Sequence, residues 1–336
     1  MKAIGFKTSL PLNEADSFLE FETEKPAPRG RDLLVKISAI SVNPVDFKIR
    51  QNSARDKILD QPKVIGWDAT GIVEAVGEQV SLFRPGDLVY YAGDINRPGS
   101  NAEYQLVDER IAGLKPQSLS PEAAAALPLT ALTAWEILFD RIRIGERDKG
   151  KTVLIIGGAG GVGSIAIQMA KKIAGLTVLA TASRPESVAW CLKMGADHVV
   201  NHKDLVNEVR KAGFNNIDFI LDLVDLNAYW DAIAELIKPQ GHIASITGSA
   251  EPVALNKIKG KSVSFSWELM FTRSTFQTED MIAQHHILDR IAGLLDEGLL
   301  QTTLTETYDG LSAENLKRAH RQLESGSTIG KLVIRF

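Results

Sequence analysis

Among 336 residues there is one cysteine, Cys191, and no histidine before His198. A single cysteine excludes an intrachain disulfide, and its place in VAWCLKMGA, a stretch with helical spacing, points to a packing role. Residues 1 to 190 therefore hold neither thiolate nor imidazole, the ligands zinc prefers. No segment reaches the roughly 20 apolar residues needed to cross a bilayer. The start, MKAIGFKTSLPL, lacks a charged stretch followed by an apolar one, so a cytoplasmic protein with no membrane partner is expected. Charge of one sign is also scarce: the formal net charge is -4, with no basic stripe for a phosphate backbone, which excludes nucleic acid as the main partner. A small molecule is favoured instead, and a chain of 336 residues is long enough for two domains with a ligand cleft.

What is present divides into two textures. Residues 1–125 hold short β-like runs between turn residues, LLVKISAISV, TGIVEAV, DLVYYA and AEYQLV, and read as mostly β. From Pro121 a helical stretch, PEAAAALPLTALTAWEILF, leads into regular alternation of strands and helices. Alternation of this kind predicts a parallel, doubly wound sheet over residues 126–268, closed by SVSFSW at 262–267. Residues 269–336 supply two more helices, about 278–298 and 312–324, and the strand KLVIRF. They do not repeat the βα unit and are expected to rejoin the first domain.

The strongest local signal is TVLIIGGAGGVGSIAIQMAKKIAG. Gly158, Gly160 and Gly163 fill G-x-G-x-x-G between a strand and a helix, with Gly161 and Val162 at the helix start. In this reading Gly158 permits the tight turn, Gly160 lets backbone approach a pyrophosphate, and Gly163 allows close helix-on-strand packing. An NAD site carries a carboxylate at the end of the second strand, but TVLATA runs into Ser183-Arg184-Pro185. Ser183 and Arg184 offer a hydroxyl and a planar cation to a 2′-phosphate, so NADPH is the expected cofactor; a surface arginine near a helix start is the alternative. His285-His286 lie adjacent on a helix and point about 100° apart, which suits helix surface better than a metal.

With SVNPVDFKIR, GWDATGIVEAVG, AALPLTALTAWEILF, GGAGGVG and ASRPE in this order, the chain resembles a medium-chain dehydrogenase/reductase. SWELMFTRSTF and ESGSTIGKLVIRF are similar to the subgroup called zinc-type alcohol dehydrogenase-like, related to quinone oxidoreductases. The resemblance implies an α/β Rossmann domain, a doubly wound parallel sheet, with a mostly β GroES-like catalytic domain. It also implies loss of zinc, because the family's catalytic ligand positions read Asn43, Trp67 and Leu129, and the cysteine lobe is replaced by DINRPGSN. By the same resemblance Asn43 orients cofactor or substrate, Lys48 is a weaker cationic donor, and Thr130, Thr133, Val224 and Gly248 line the nicotinamide. Lys331 is implied to reach a cofactor phosphate, a solvated surface lysine being the alternative. Asp46 is open between an active-site role and a local backbone hydrogen bond. Hydride delivery to a quinone or an α,β-unsaturated carbonyl follows, since such acceptors are electrophilic without a Lewis acid. An NADP(H)-binding redox sensor with little turnover is the competing expectation. A homodimer through the SVSFSW edge is expected.

Overall fold

A computed structural model describes all 336 residues, which fall into two compact units, 133–270 and the combination of 1–132 with 271–336. In the first of these the strands are β1 (Thr152–Ile156), β2 (Thr177–Thr181), β3 (His198–Val200), β4 (Ile217–Asp222), β5 (Ile237–Ser245) and β6 (Ser264–Trp267). The helices α1 (Gly161–Lys172), α2 (Pro185–Met194), α3 (Leu205–Lys211) and α4 (Leu226–Leu236) connect them. All neighbours are parallel and the spatial order is 3-2-1-4-5-6. This is the doubly wound arrangement, in which ligands sit beyond the carboxyl ends of the strands where the order reverses, here between β1 and β4. Strands covered on both faces need continuous apolar runs, and Leu154, Ile156, Leu179 and Ile220 supply them against Trp230 and Ile233 of α4. The helix stops are local. Pro185 starts α2 at its first position, and Gly195 ends it at φ +108°, in the left-handed region glycine favours.

The other unit is built on Asp32–Ser41, a strand that pairs antiparallel with Asp68–Val76 and, over its first half, with Tyr104–Asp108. Its far end pairs with the terminal strand Lys331–Arg335, in register Val333 to Ser41. The sheet continues outward through Leu304–Asp309 on that side and through Leu88–Tyr91 and Ala112–Leu114 on the other. The last 66 residues thus complete the sheet begun by the first 132.

Three sequence expectations change here. The long helical stretch from Pro121 is broken at Pro128, which cannot continue a helix, into Pro121–Ala125 and Pro128–Trp135, and it ends in a wider π-type turn, Glu136–Arg141. The chain leaves the first unit after Leu132 rather than after residue 125, since the alanine-rich helix Pro121–Ala125 packs on Ala39 and Val333 of that unit's sheet. His285 is buried rather than on the helix surface: its Nδ1 lies 2.8 Å from the Ala112 carbonyl, and its ring meets Phe83 edge-on.

Candidate cofactor site and a buried ion pair

At the carboxyl end of β1 the chain turns through Gly157-Gly158-Ala159-Gly160 into α1. The left-handed residue is Gly157, at φ +91°, not Gly158 as the motif suggested, and a Cβ on it would lie 2.6 Å from Val224. Gly158 is required for room instead: its Cβ would come within 2.7 Å of Ala180 and 3.1 Å of the Cys191 sulfur. Gly163 is tighter still, 2.3 Å from the Gly157 carbonyl oxygen. These distances state why three glycines are needed, two for packing and one for the turn. The Gly157 N–H donates to the Thr181 hydroxyl of β2, 2.9 Å, which anchors the loop to the neighbouring strand. Gly160 caps α1, so the N–H groups of Gly161, Val162 and Gly163 have no carbonyl four residues back within the helix and face an incoming anion.

Beside this turn, the loop after β4 is pinned by Asp222. Its carboxylate accepts from the N–H groups of Val224 and Asp225, both at 3.2 Å, and from the hydroxyls of Ser245 and Thr247, both at 2.7 Å. Val224 is thereby held exposed against Gly157, and Gly248 lies exposed just past the end of β5. At the end of β2, Ser183 is exposed and Arg184 half-buried. The Arg184 guanidinium turns back on Ser187, Nη2 to Oγ 3.2 Å, and on Glu186, 3.3 Å. The glycine turn and the open helix start fit a dinucleotide, and the end of β2 carries Ser183 and Arg184, with Glu186 paired to the arginine.

The other unit gathers a second set of sequence candidates. Asn43 caps the helix Pro44–Asn52, and the Asp46 carboxylate accepts its backbone N–H at 2.8 Å, the local role left open above. The second Asp46 oxygen is buried without a partner, and burial pushes this carboxyl up to about 7 despite that hydrogen bond and the nearby Lys331 ammonium. The Asn43 side-chain N–H donates to Asp68, 2.8 Å, and the backbone N–H of Leu129 donates to the other Asp68 oxygen, 2.7 Å. Burial raises Asp68 above the usual carboxylate range, against the pull of Lys331, Asn43 and Leu129. Lys48 stands exposed on the same helix as Asp46. Thr130 is buried with its hydroxyl donated to the Leu127 carbonyl, 3.0 Å; Thr133, the first residue of the 133–270 unit, is buried as well.

Lys331 corrects its sequence assignment. It is 3% exposed, and its ammonium donates to the Val42 carbonyl (2.9 Å), to Asn43 Oδ1 (2.5 Å) and to Asp68 Oδ2 (3.2 Å). All three N–H groups are engaged, so none is left for a phosphate. Asn43 is corrected in the same way, because it is 1% exposed and both ends of its carboxamide are held by Lys331 and Asp68. Positions 43 and 129 do converge with Asp68, but on an ammonium. Trp67, fully buried, turns its indole toward Phe271, ring centroids 6.1 Å apart. An amide, an indole, an aliphatic side chain and a bound lysine do not fit zinc. The Asp68–Lys331 pair was missed in the sequence. Its one signal was a lysine opening the apolar run LVI in a terminal strand that has to be buried.

Two family models match the chain, an alcohol dehydrogenase GroES-like domain over residues 29–117 and a zinc-binding dehydrogenase domain over 194–334. A zinc-type alcohol dehydrogenase-like protein of Staphylococcus aureus is 48% identical over 338 residues, covering 99% of each chain. A 2-methylene-furan-3-one reductase of Solanum lycopersicum is 35% identical over 325 residues, 94% of this chain and 74% of that one. A crystal structure from Rhizobium etli, described as of zinc-dependent alcohol dehydrogenase type, superposes with a TM-score of 0.95 at 48% identity, covering 100% of this chain and 98% of that one.

Proposed function

Since the chain belongs to the zinc-type alcohol dehydrogenase-like group of the medium-chain dehydrogenase/reductase superfamily, and so to its oxidoreductases, we propose that it is a zinc-free, NADPH-dependent reductase of α,β-unsaturated carbonyls or quinones. The observation that carries this reading is the end of β2, where Ser183 and Arg184 stand in place of a carboxylate that would repel a 2′-phosphate. A reduced nicotinamide, when bound, supplies the hydride. The chain's own part is to hold the pyrophosphate on the α1 amides, to keep Val224 beside the turn and Gly248 open past the end of β5, and to release Arg184 from Ser187 and Glu186 toward the ribose phosphate. Lys331, Asn43 and Asp68 supply no Lewis acid, so the acceptor must be electrophilic already, which favours enones and quinones over the reverse oxidation of simple alcohols. The tomato relative is by its name a reductase of a conjugated ketone, which agrees.

The test is parallel turnover: NADPH consumption with a panel of enones and ortho-quinones, against reduction of NADP⁺ by simple primary alcohols. Robust ethanol oxidation with no enone or quinone reduction would reverse the reading. Arg184→Ala is expected to weaken NADPH about tenfold relative to NADH, the low end for a charge-assisted contact because the guanidinium gives up its Ser187 bond. An unchanged NADPH/NADH ratio would remove Arg184 from the site. The engagement of every Asn43 and Lys331 group inside the protein favours one second reading, an NADP(H)-binding sensor; cofactor binding without consumption across the whole panel would select it.

A further inference from the structure

Ser183 has a second neighbour that the glycine and arginine motifs do not include. His202 opens the short turn after β3, the strand beside β2, and its Nε2 lies 3.2 Å from the Ser183 hydroxyl. Its other ring nitrogen, Nδ1, lies 3.0 Å from the Tyr229 hydroxyl on α4. Tyr229, His202 and Ser183 thus form one hydrogen-bonded row that ends at an exposed hydroxyl where the ribose of a dinucleotide would lie.

We propose that this row reads the phosphorylation state of the adenosine ribose, and that binding of a 2′-phosphate is coupled to uptake of one proton by His202. The inference rests on the cofactor reading above. A neutral imidazole has one donor and one acceptor. With Nε2 as acceptor, the Ser183 proton is committed to the ring and Ser183 shows a ligand only lone pairs. That suits a ribose hydroxyl, which donates, and repels a phosphate. With both nitrogens protonated, Tyr229 and Ser183 both accept from the ring, the Ser183 proton is free for a phosphate oxygen, and a full positive charge stands one hydrogen bond behind it. The proton comes from solvent and no other bond changes. Of the two neutral tautomers, the one protonated at Nε2 also frees Ser183, but it adds no charge. A dianionic ester about 5 to 6 Å from the ring raises its proton affinity about tenfold even at the dielectric constant of water. Histidine is the side chain whose charge changes in this pH range.

The charged groups around the row are Arg184 and Glu186 after β2, Asp222 and Asp225 before α4, and Lys203 and Asp204 in the histidine's own turn. Asp222 is tied to Ser245 and Thr247, and Asp225 accepts the Ala228 N–H that caps α4, so neither neutralises the ring directly. Burial and these two carboxylates raise the Tyr229 phenol above its ordinary value, which keeps it a neutral hydroxyl able to accept or donate.

The experiment is titration calorimetry of the full chain with adenosine 2′,5′-bisphosphate and with 5′-AMP, from pH 6 to 8.5, in two buffers of different ionisation enthalpy. The expected result is a bisphosphate affinity that falls about tenfold over this range with net proton uptake, while 5′-AMP shows neither. His202→Gln is expected to abolish both the slope and the uptake. Carbon-detected titration of the His202 ring in the unaltered chain gives the same answer if that variant does not fold: the ring should titrate at higher pH with bisphosphate bound than without. A wild-type slope and uptake in His202→Gln, or a ring titration unmoved by the bisphosphate, would overturn the row while leaving the NADPH reading intact. Bisphosphate binding no tighter than 5′-AMP at any pH would overturn that reading, and the row with it.

Discussion

His320 is buried with neither ring nitrogen partnered, its ring edge-on to Phe18 and close to the Arg50 guanidinium. Burial, and then the Arg50 charge, push it down to about 3, against about 6.5 in an unfolded chain. Between those values the unfolded chain binds a proton that the folded one refuses, so the stability it confers is present above pH 6.5 and lost as pH falls toward 3. From pH 6.5 to 5 this amounts to about 2 kcal/mol at roughly 1.4 kcal/mol per unit. His320→Phe should flatten that part of the acid dependence in urea unfolding at pH 7.5 and 5; an unchanged difference between the two pH values would mean that His320 is not the group responsible. Asp46 has the opposite sign. Its folded value of about 7 lies above the unfolded 3.8, so its contribution is full below 3.8 and lost as pH rises through 7. Asp46→Asn keeps an oxygen for the Asn43 N–H, and should gain thermal stability relative to the unaltered chain at pH 8.5 compared with pH 5.5. A shift that is equal at both pH values would refute this. Neither environment was legible in the sequence, where a histidine on a C-terminal helix and an aspartate after Asn-Pro-Val carry no sign of burial.

Among the elements, the βα units were readable because each has the right period and ends at a glycine or proline, as α2 does at Gly195. Pro128 was equally visible, yet the apolar content of PEAAAALPLTALTAW outweighed it and two helices read as one. The glycine motif was found, but the left-handed residue lay one position earlier, at Gly157, because the motif records spacing and not φ. β6 is an edge strand with Trp267 half exposed and further apolar surface at Leu269. An open parallel edge of this kind invites pairing with a second copy. Light scattering at micromolar concentration should give a dimer, and Trp267→Pro, which removes an outward-facing N–H of the edge strand together with its exposed indole, should shift it toward monomer. A monomeric unaltered chain would count against pairing at this edge.

At the level of the whole molecule, the two-unit division was readable from the change of texture near Pro121 and from the return of KLVIRF. The Asp68–Lys331 pair was not, since its members are 263 positions apart and neither lies in a motif that names the other. The purified protein is expected to contain no stoichiometric zinc by elemental analysis; one zinc per chain, lost together with activity on chelation, would refute the claim that an ammonium fills that place.

The strand order also sets a timetable for synthesis. Residues 133–270 are contiguous and can complete their sheet while the ribosome is still working. The earlier-made Asp32–Ser41 strand must wait for Lys331–Arg335, translated after that unit, to cover one edge and bring the cation for Asp68. Residues 1–132, made before the 133–270 unit, therefore mature after it. A premature stop that removes only the final six residues should leave the nucleotide-type unit intact and the older part open, an aggregation hazard out of proportion to the length lost.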